Sequence, residues 1–156
     1  MTQAPSEDYK TLRVNNADKI IIGIATAQWN AHITQKLLQG SIEVLKYYNI
    51  QFVEILVPGS FELPLAAQKL AQRNDITAVI CLGCVIQGDT KHFDYVCQAS
   101  AQGILEVGLK YNKPVIFGLL TTNNEQQALD RAGGVLGNKG IEAAVTAIKM
   151  MAISWI

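Results

Sequence analysis

Charge of either sign in excess is missing from this 156-residue sequence: Lys plus Arg number 13, Asp plus Glu number 13, and the formal net charge is zero. That balance excludes a general nucleic-acid-binding or anionic-membrane-binding surface, so any anion site must be local. Charge of any kind is scarce, at 17% of residues against 49% hydrophobic. Such a composition favours buried surface beyond one small core, as in an oligomer, or a parallel sheet covered on both faces. No run of about 18 apolar residues occurs, which excludes a membrane-spanning helix. The first ten residues are polar and lack the apolar segment of a secretion signal, so the expected location is the cytoplasm.

Cysteine is also sparse and odd in number, with Cys81, Cys84 and Cys97 only. Cys81 and Cys84 have Cys-x-x-Cys spacing but fall inside a predicted strand, where residues three apart point to opposite faces. They are therefore expected to be small apolar core residues in a reducing compartment, with no metal ligation. Low-complexity segments and internal repeats are absent. The length suits one domain, residues 1–156, with a polar tail over about 1–18 in which Leu12 to Val14 are able to pair with a sheet edge or a neighbouring subunit.

What is present is an alternation of strands and helices. Ile20 to Thr26, Gln51 to Val57, Thr77 to Ile86 and Val115 to Leu120 are apolar and β-branched, which predicts buried strands. Between and after them, helical spacing covers Ile33 to Tyr47, Phe61 to Ala71, about Lys91 to Tyr111, Asn124 to Arg131, and Lys139 or Gly140 to about Met151. Pro64 is tolerable only in a first helical turn, where its missing N–H has no partner to lose. The alternation implies a three-layer α/β/α sandwich around a four-stranded parallel sheet of flavodoxin-like type.

In such sheets ligands sit outside the carboxyl ends of the strands. The richest of these ends is Gly83 to Tyr95, an apolar strand leading through Gly88, Asp89 and Thr90 to His92. Thr90 is a good N-cap, and the free N–H groups of a helix start favour a phosphate or carboxylate. His92 beside such an anion suits proton transfer; a surface His bonded to a neighbour such as Asp94 is the alternative. After the first strand, Trp29 is suited either to stacking on a planar heterocycle or to capping the next helix, with Asn30 beside it. After the second strand, Glu62 suits a polyol but equally suits the helix dipole. Arg131 has the planar fork of a phosphate clamp, or is a surface residue paired with Asp130 or Glu142.

Four segments together carry a family resemblance: Val57-Pro-Gly-Ser-Phe-Glu-Leu-Pro64, Gly83 to Tyr95, Pro114-Val-Ile-Phe-Gly-Leu-Leu-Thr-Thr122, and Arg131-Ala-Gly with Gly137-Asn-Lys-Gly140. In this order and spacing the chain resembles the lumazine synthases of riboflavin biosynthesis, from about Ile20 to Met151. The resemblance implies condensation of 5-amino-6-ribitylaminouracil with 3,4-dihydroxy-2-butanone 4-phosphate, without metal or organic cofactor. It implies that Trp29, where Phe is usual, stacks on the pyrimidine, and that Asn30, Ser60, Phe61, Glu62, Val85, Ile86, Phe117 and Lys139 line the pyrimidine and ribityl site. Gly88, Asp89, Thr90 and Arg131 are then the phosphate site and His92 the proton carrier. Phe117 and Arg131 are expected from a neighbouring subunit of a pentamer, which in the family stands alone, pairs or closes into a 60-subunit shell, with riboflavin synthase as a further candidate partner. Two departures stand out: Gln87 replaces a frequent Arg, and Asp89 brings a carboxylate to an anion site. A flavin-binding storage module or a shell protein without activity are the competing classes.

Overall fold

A computed structural model of the chain describes residues 8–153; residues 1–7 of the expected tail lie outside the described residues. Four parallel strands form the sheet: β1 (Ile21–Ala27), β2 (Gln51–Val57), β3 (Ala78–Ile86) and β4 (Val115–Thr122). Their order is β2-β1-β3-β4. The chain therefore steps one way from β1 and the other way from β3, which opens a crevice between these two strands at their carboxyl ends.

The helices are α1 (Ala31–Tyr47), α2 (Leu63–Ala71), α3 (His92–Tyr111), α4 (Glu125–Asp130) and α5 (Lys139–Ala152). Alternation along the strands sorts their side chains between two cores. On one face Ile22, Ile24, Ile80, Leu82 and Leu120 pack with Ile33, Leu37, Val44 and Leu45 of α1 and with the alanine stripe Ala143, Ala144 and Ala147 of α5. On the other, Ala25, Ala27, Val79, Cys81 and Leu119 meet Leu63, Ala67 and Leu70 of α2 and Ile104 and Val107 of α3. The expected three layers and four parallel strands are thus present. Cys81 and Cys84 fall in opposite cores, and burial pushes their thiols up to about 12 and about 11. Among the described residues no helix is long and apolar enough to cross a membrane.

Local chemistry explains where the ends differ from expectation. The helix expected from Phe61 starts at Leu63, because Ser60–Glu62 wind as a tighter 3-10 turn, and Pro64 then sits in the first α turn. The glycine-bearing segment before α5 is a small antiparallel hairpin of β5 (Ala132–Gly134) and β6 (Gly137–Asn138), too short to show a period in sequence. Residues 8–20 contain two 3-10 turns, Tyr9–Thr11 and Ala17–Lys19, and no strand at Leu12 to Val14. They lie on their own α1, where Tyr9 donates to Glu43 at 2.6 Å and Tyr48 donates to the Leu12 carbonyl at 3.0 Å.

Helices α1 and α5 approach until a backbone meets a backbone. A Cβ on Gly140 would lie 1.8 Å from the Leu37 carbonyl oxygen, so only glycine fits. Ser41 donates to the Gly140 carbonyl at 2.8 Å, and Asn138 donates to the Lys36 carbonyl at 3.0 Å. Gly140→Ala is expected to cost about 3 kcal/mol, since neither backbone can yield without moving a helix. A urea midpoint unchanged from the parent would contradict this packing.

Candidate active site

Strand β3 outlasts its neighbour on one side. Pairing with β1 ends at Thr26 opposite Leu82, whereas pairing with β4 continues to Ile86 opposite Thr122. From Gly83 onward the β1 side of β3 is consequently open. The Cys84 carbonyl on that side accepts the Asn30 amide at 2.9 Å. Because backbone groups alternate in direction, those of Ile86 face the same side and those of Val85 face β4. Gln87 N–H continues the β4 ladder by donating to Thr122 at 2.8 Å.

Around this opening stand the loops of the other strands. Gln28 and Trp29 N–H donate to the carbonyls of Val57 and Pro58 at 2.8 and 3.0 Å, which extends the β1–β2 ladder past the strand ends. Trp29 is held there by its backbone, yet its side chain remains 63% exposed. Asn30 starts α1 in the left-handed region with φ 58°, and its amide is engaged with β3 rather than facing solvent. Ser60 is buried, and its carbonyl accepts from Ser100 at 3.0 Å, whereas Phe61 beside it is exposed. Glu62 accepts from the Gly59 N–H at 3.0 Å through one carboxylate oxygen.

The β3–α3 loop completes this edge. Gly88, Asp89, Thr90 and His92 are all exposed. The helix cap differs from the one expected: Lys91 has helical φ and ψ of −64° and −6° and is the N-cap. Thr90 thus sits one residue further out, where its hydroxyl still accepts from His92 N–H over a long 3.4 Å. Nothing lies within 4 Å of a Cβ placed on Gly88, so the fold itself does not demand glycine there.

Phe117, Arg131 and Lys139 form a second group on another face. Phe117 and Lys139 border a groove of about 1160 Å³ that runs along the outer edge of β4 between α3 and α5, lined also by Glu142, Leu105, Leu109 and Leu136 among others. Arg131 is paired with Glu142 through both guanidinium nitrogens, at 2.7 and 3.0 Å, and Lys139 reaches the same carboxylate at 3.3 Å. Of the two uses open to Arg131, ion pairing with Glu142 is the one seen within the single chain. Among the described residues no hydrogen bond or ion pair joins this group to Gly88–His92. Burial opposes ionisation of Glu142, but the Arg131 hydrogen bonds and the charges of Lys139 and Arg131 outweigh it and hold its carboxyl below the ordinary range.

Comparison with known proteins identifies the family of the chain. The family profile of 6,7-dimethyl-8-ribityllumazine synthase matches residues 19–154. The chain is 56% identical over 142 residues to the 6,7-dimethyl-8-ribityllumazine synthase of Cytophaga hutchinsonii, covering 89% of each chain. It is 52% identical over 150 residues to that of Parabacteroides distasonis, covering 94% of each. With that of Thermus thermophilus it shares 46% over 146 residues, covering 91% of this chain and 93% of the relative. The chain belongs to the 6,7-dimethyl-8-ribityllumazine synthase family.

Within this lumazine synthase fold one pairing had no signal in the sequence, and a second was only one of two alternatives there. His32, at the start of α1, lies 2.6 Å from Glu125, the first residue of α4, and so ties together the starts of these two helices. Helical spacing alone could not bring together residues 93 positions apart. Glu142, considered only as a partner for a surface Arg, joins Arg131 and Lys139 in one cluster. Since its folded value lies below its ordinary 4.5, this cluster contributes stability fully at higher pH and loses it as pH falls through the lowered folded value. Denaturation midpoints measured against pH are expected to drop along this acid limb, and Glu142→Gln is expected to flatten it. An identical limb in the variant would remove Glu142 from the account.

Proposed function

We propose that this chain condenses 5-amino-6-ribitylaminouracil with 3,4-dihydroxy-2-butanone 4-phosphate to 6,7-dimethyl-8-ribityllumazine, releasing phosphate and water. One observation carries the reading: the open stretch of β3 past Leu82 is flanked by an exposed Trp29, by Glu62, and by the loop that leads to His92. An aromatic face, an alternating backbone donor and acceptor, a carboxylate and a helix start suit a pyrimidine, a ribityl chain and a phosphate in turn.

In this scheme Trp29 stacks on the pyrimidine while the backbone N–H and C=O of Ile86, which face the open side of β3, address its edge, with Val85, whose backbone faces β4, beside it. Asn30 serves that end by fixing the Trp29 loop on β3, and Ser60, Phe61 and Glu62 receive the ribityl chain. Gly88, Asp89 and Thr90 hold the phosphate through backbone N–H groups and the Thr hydroxyl. The 5-amino group attacks the ketone to give an imine, phosphate leaves, and the ribitylamino nitrogen closes the ring. His92 relays the protons of these redox-neutral steps, which call for no cofactor. Orientation of two substrates supplies much of the rate, since effective molarity is worth about 7 to 11 kcal/mol at best.

Phe117, Arg131 and Lys139 enter the scheme from a second subunit. The place of Phe117 and Lys139 on the open β4 edge, beside the exposed Leu105 and Leu109 and with Arg131 tied to Lys139 through Glu142, supports covering of that groove by another copy of the chain. A pentamer is the assembly proposed, as a unit or within a shell, and a cytoplasmic setting agrees with the free thiols Cys81, Cys84 and Cys97.

Mixing the protein with both substrates should produce the lumazine chromophore faster than the uncatalysed condensation, and light scattering should give a native mass of at least five chains. No acceleration would leave a binding module. His92→Ala is expected to slow turnover by about a hundredfold, the low end for a positioned acid–base group, without abolishing it. Arg131→Ala is expected chiefly to raise KM for the phosphate substrate. A folded, substrate-binding His92→Ala protein with no activity would make His92 indispensable and refute the orientation argument.

A further inference from the structure

Gly59 lies between the two groups that the proposed function assigns to the pyrimidine and ribityl ends of one substrate. It is buried, and its backbone is extended, with φ −137° and ψ 179°, a conformation any residue adopts. Backbone strain therefore gives no reason for glycine here. The reason lies on its Cα: a Cβ there would stand 2.6 Å from Cε3 and 2.7 Å from Cζ3 of Trp29, and 3.1 Å from Oε2 of Glu62. Carbon atoms in contact sit about 3.5–4.0 Å apart, so the indole would have to retreat by about 1 Å.

The indole is thus seated against bare backbone at its six-membered ring while most of its surface stays open. The same residue's N–H holds the Glu62 carboxylate at 3.0 Å. One glycine sets the height of the aromatic surface and the position of the carboxylate together. We infer that Gly59 is a positioning residue for the pyrimidine substrate, matched in size to the indole of Trp29, and that it acts by seating this ring and Glu62 rather than by touching the reacting atoms. The inference rests on the reading that Trp29 stacks on the pyrimidine.

The pairing makes a requirement specific to tryptophan. Phenylalanine has one ring in place of two and leaves room for a methyl group at position 59. Gly59→Ala should therefore be damaging beside Trp29 and much less so once Trp29→Phe has been made, whereas a purely structural glycine would be equally costly in both.

The test uses the full chain in four forms: parent, Gly59→Ala, Trp29→Phe, and the double variant. Steady-state kinetics are run with each substrate varied in turn. Gly59→Ala is expected to raise KM for 5-amino-6-ribitylaminouracil about tenfold or more, given how steeply rates and binding fall with a misplacement of about 1 Å, while KM for the butanone phosphate stays within about twofold. In the Trp29→Phe background the same change should raise the first KM by less than about threefold, because the shorter ring can yield. Emission of the ligand-free protein, recorded with Trp155→Phe so that Trp29 alone reports, should shift with Gly59→Ala. An equal KM rise in both backgrounds, or none in either, overturns the proposal. A shifted emission with unchanged KM overturns it through the stacking reading on which it rests; a raised KM with unshifted emission overturns it through Gly59's own role. If Gly59→Ala alone does not fold, the double variant decides: folded and active it supports the size match, and unfolded it overturns it.

Discussion

The step at the end of β3 is the constraint on which the site depends. This strand is buried on both faces from Ala78 to Cys84 and flanked by β1 and β4, so it cannot shift without exposing two cores. Yet β1 releases it at Leu82 while β4 follows it to Ile86. A rigid strand with an open side is the result. Parallel strands all finish at one end, so the loops carrying Trp29, Ser60 to Glu62, and Gly88 to His92 emerge around that opening without further instruction.

The same sheet leaves a second feature unfinished. Strand β4 is an edge strand, and the groove beside it gathers Phe117, Lys139 and Glu142 on one side and exposed leucines on another. Unpaired sheet edges and open apolar grooves invite a partner. The proposed division of the active site between subunits follows from this: the proposed phosphate loop and the Arg131 cluster belong to different parts of the single chain. Within the chain, Glu142 pairs with both Arg131 and Lys139 and keeps them in a defined position, leaving the cluster one positive charge.

Most of the architecture was legible because its causes are local. Continuous apolar β-branched runs mark strands covered on both faces, and these were found within two residues of their ends at β1, β2, β3 and β4. Pro64 located a first helical turn, and the two faces of a strand separated Cys81 from Cys84. Capping was less legible. The cap before α3 moved from Thr90 to Lys91, since the choice depends on how the loop leaves β3 and not on the side chain's preference alone. The β5–β6 hairpin and the 3-10 turn at Ser60–Glu62 span too few residues to carry a period.

For the site, sequence by itself determined which chemical groups exist and the family to which their pattern belongs, because motif spacing is a property of the chain. It also determined that the strand ends would share one edge, since alternating strands and helices allow few other arrangements. Tertiary structure alone decided what each group has for a neighbour. It set the Asn30 amide on the Cys84 carbonyl, chose Glu142 over Asp130 as the partner of Arg131, joined His32 to Glu125, and laid the Trp29 indole against Gly59. Each of these contacts joins residues from different elements. Their distances come from how helices and strands pack, and no local spacing encodes them.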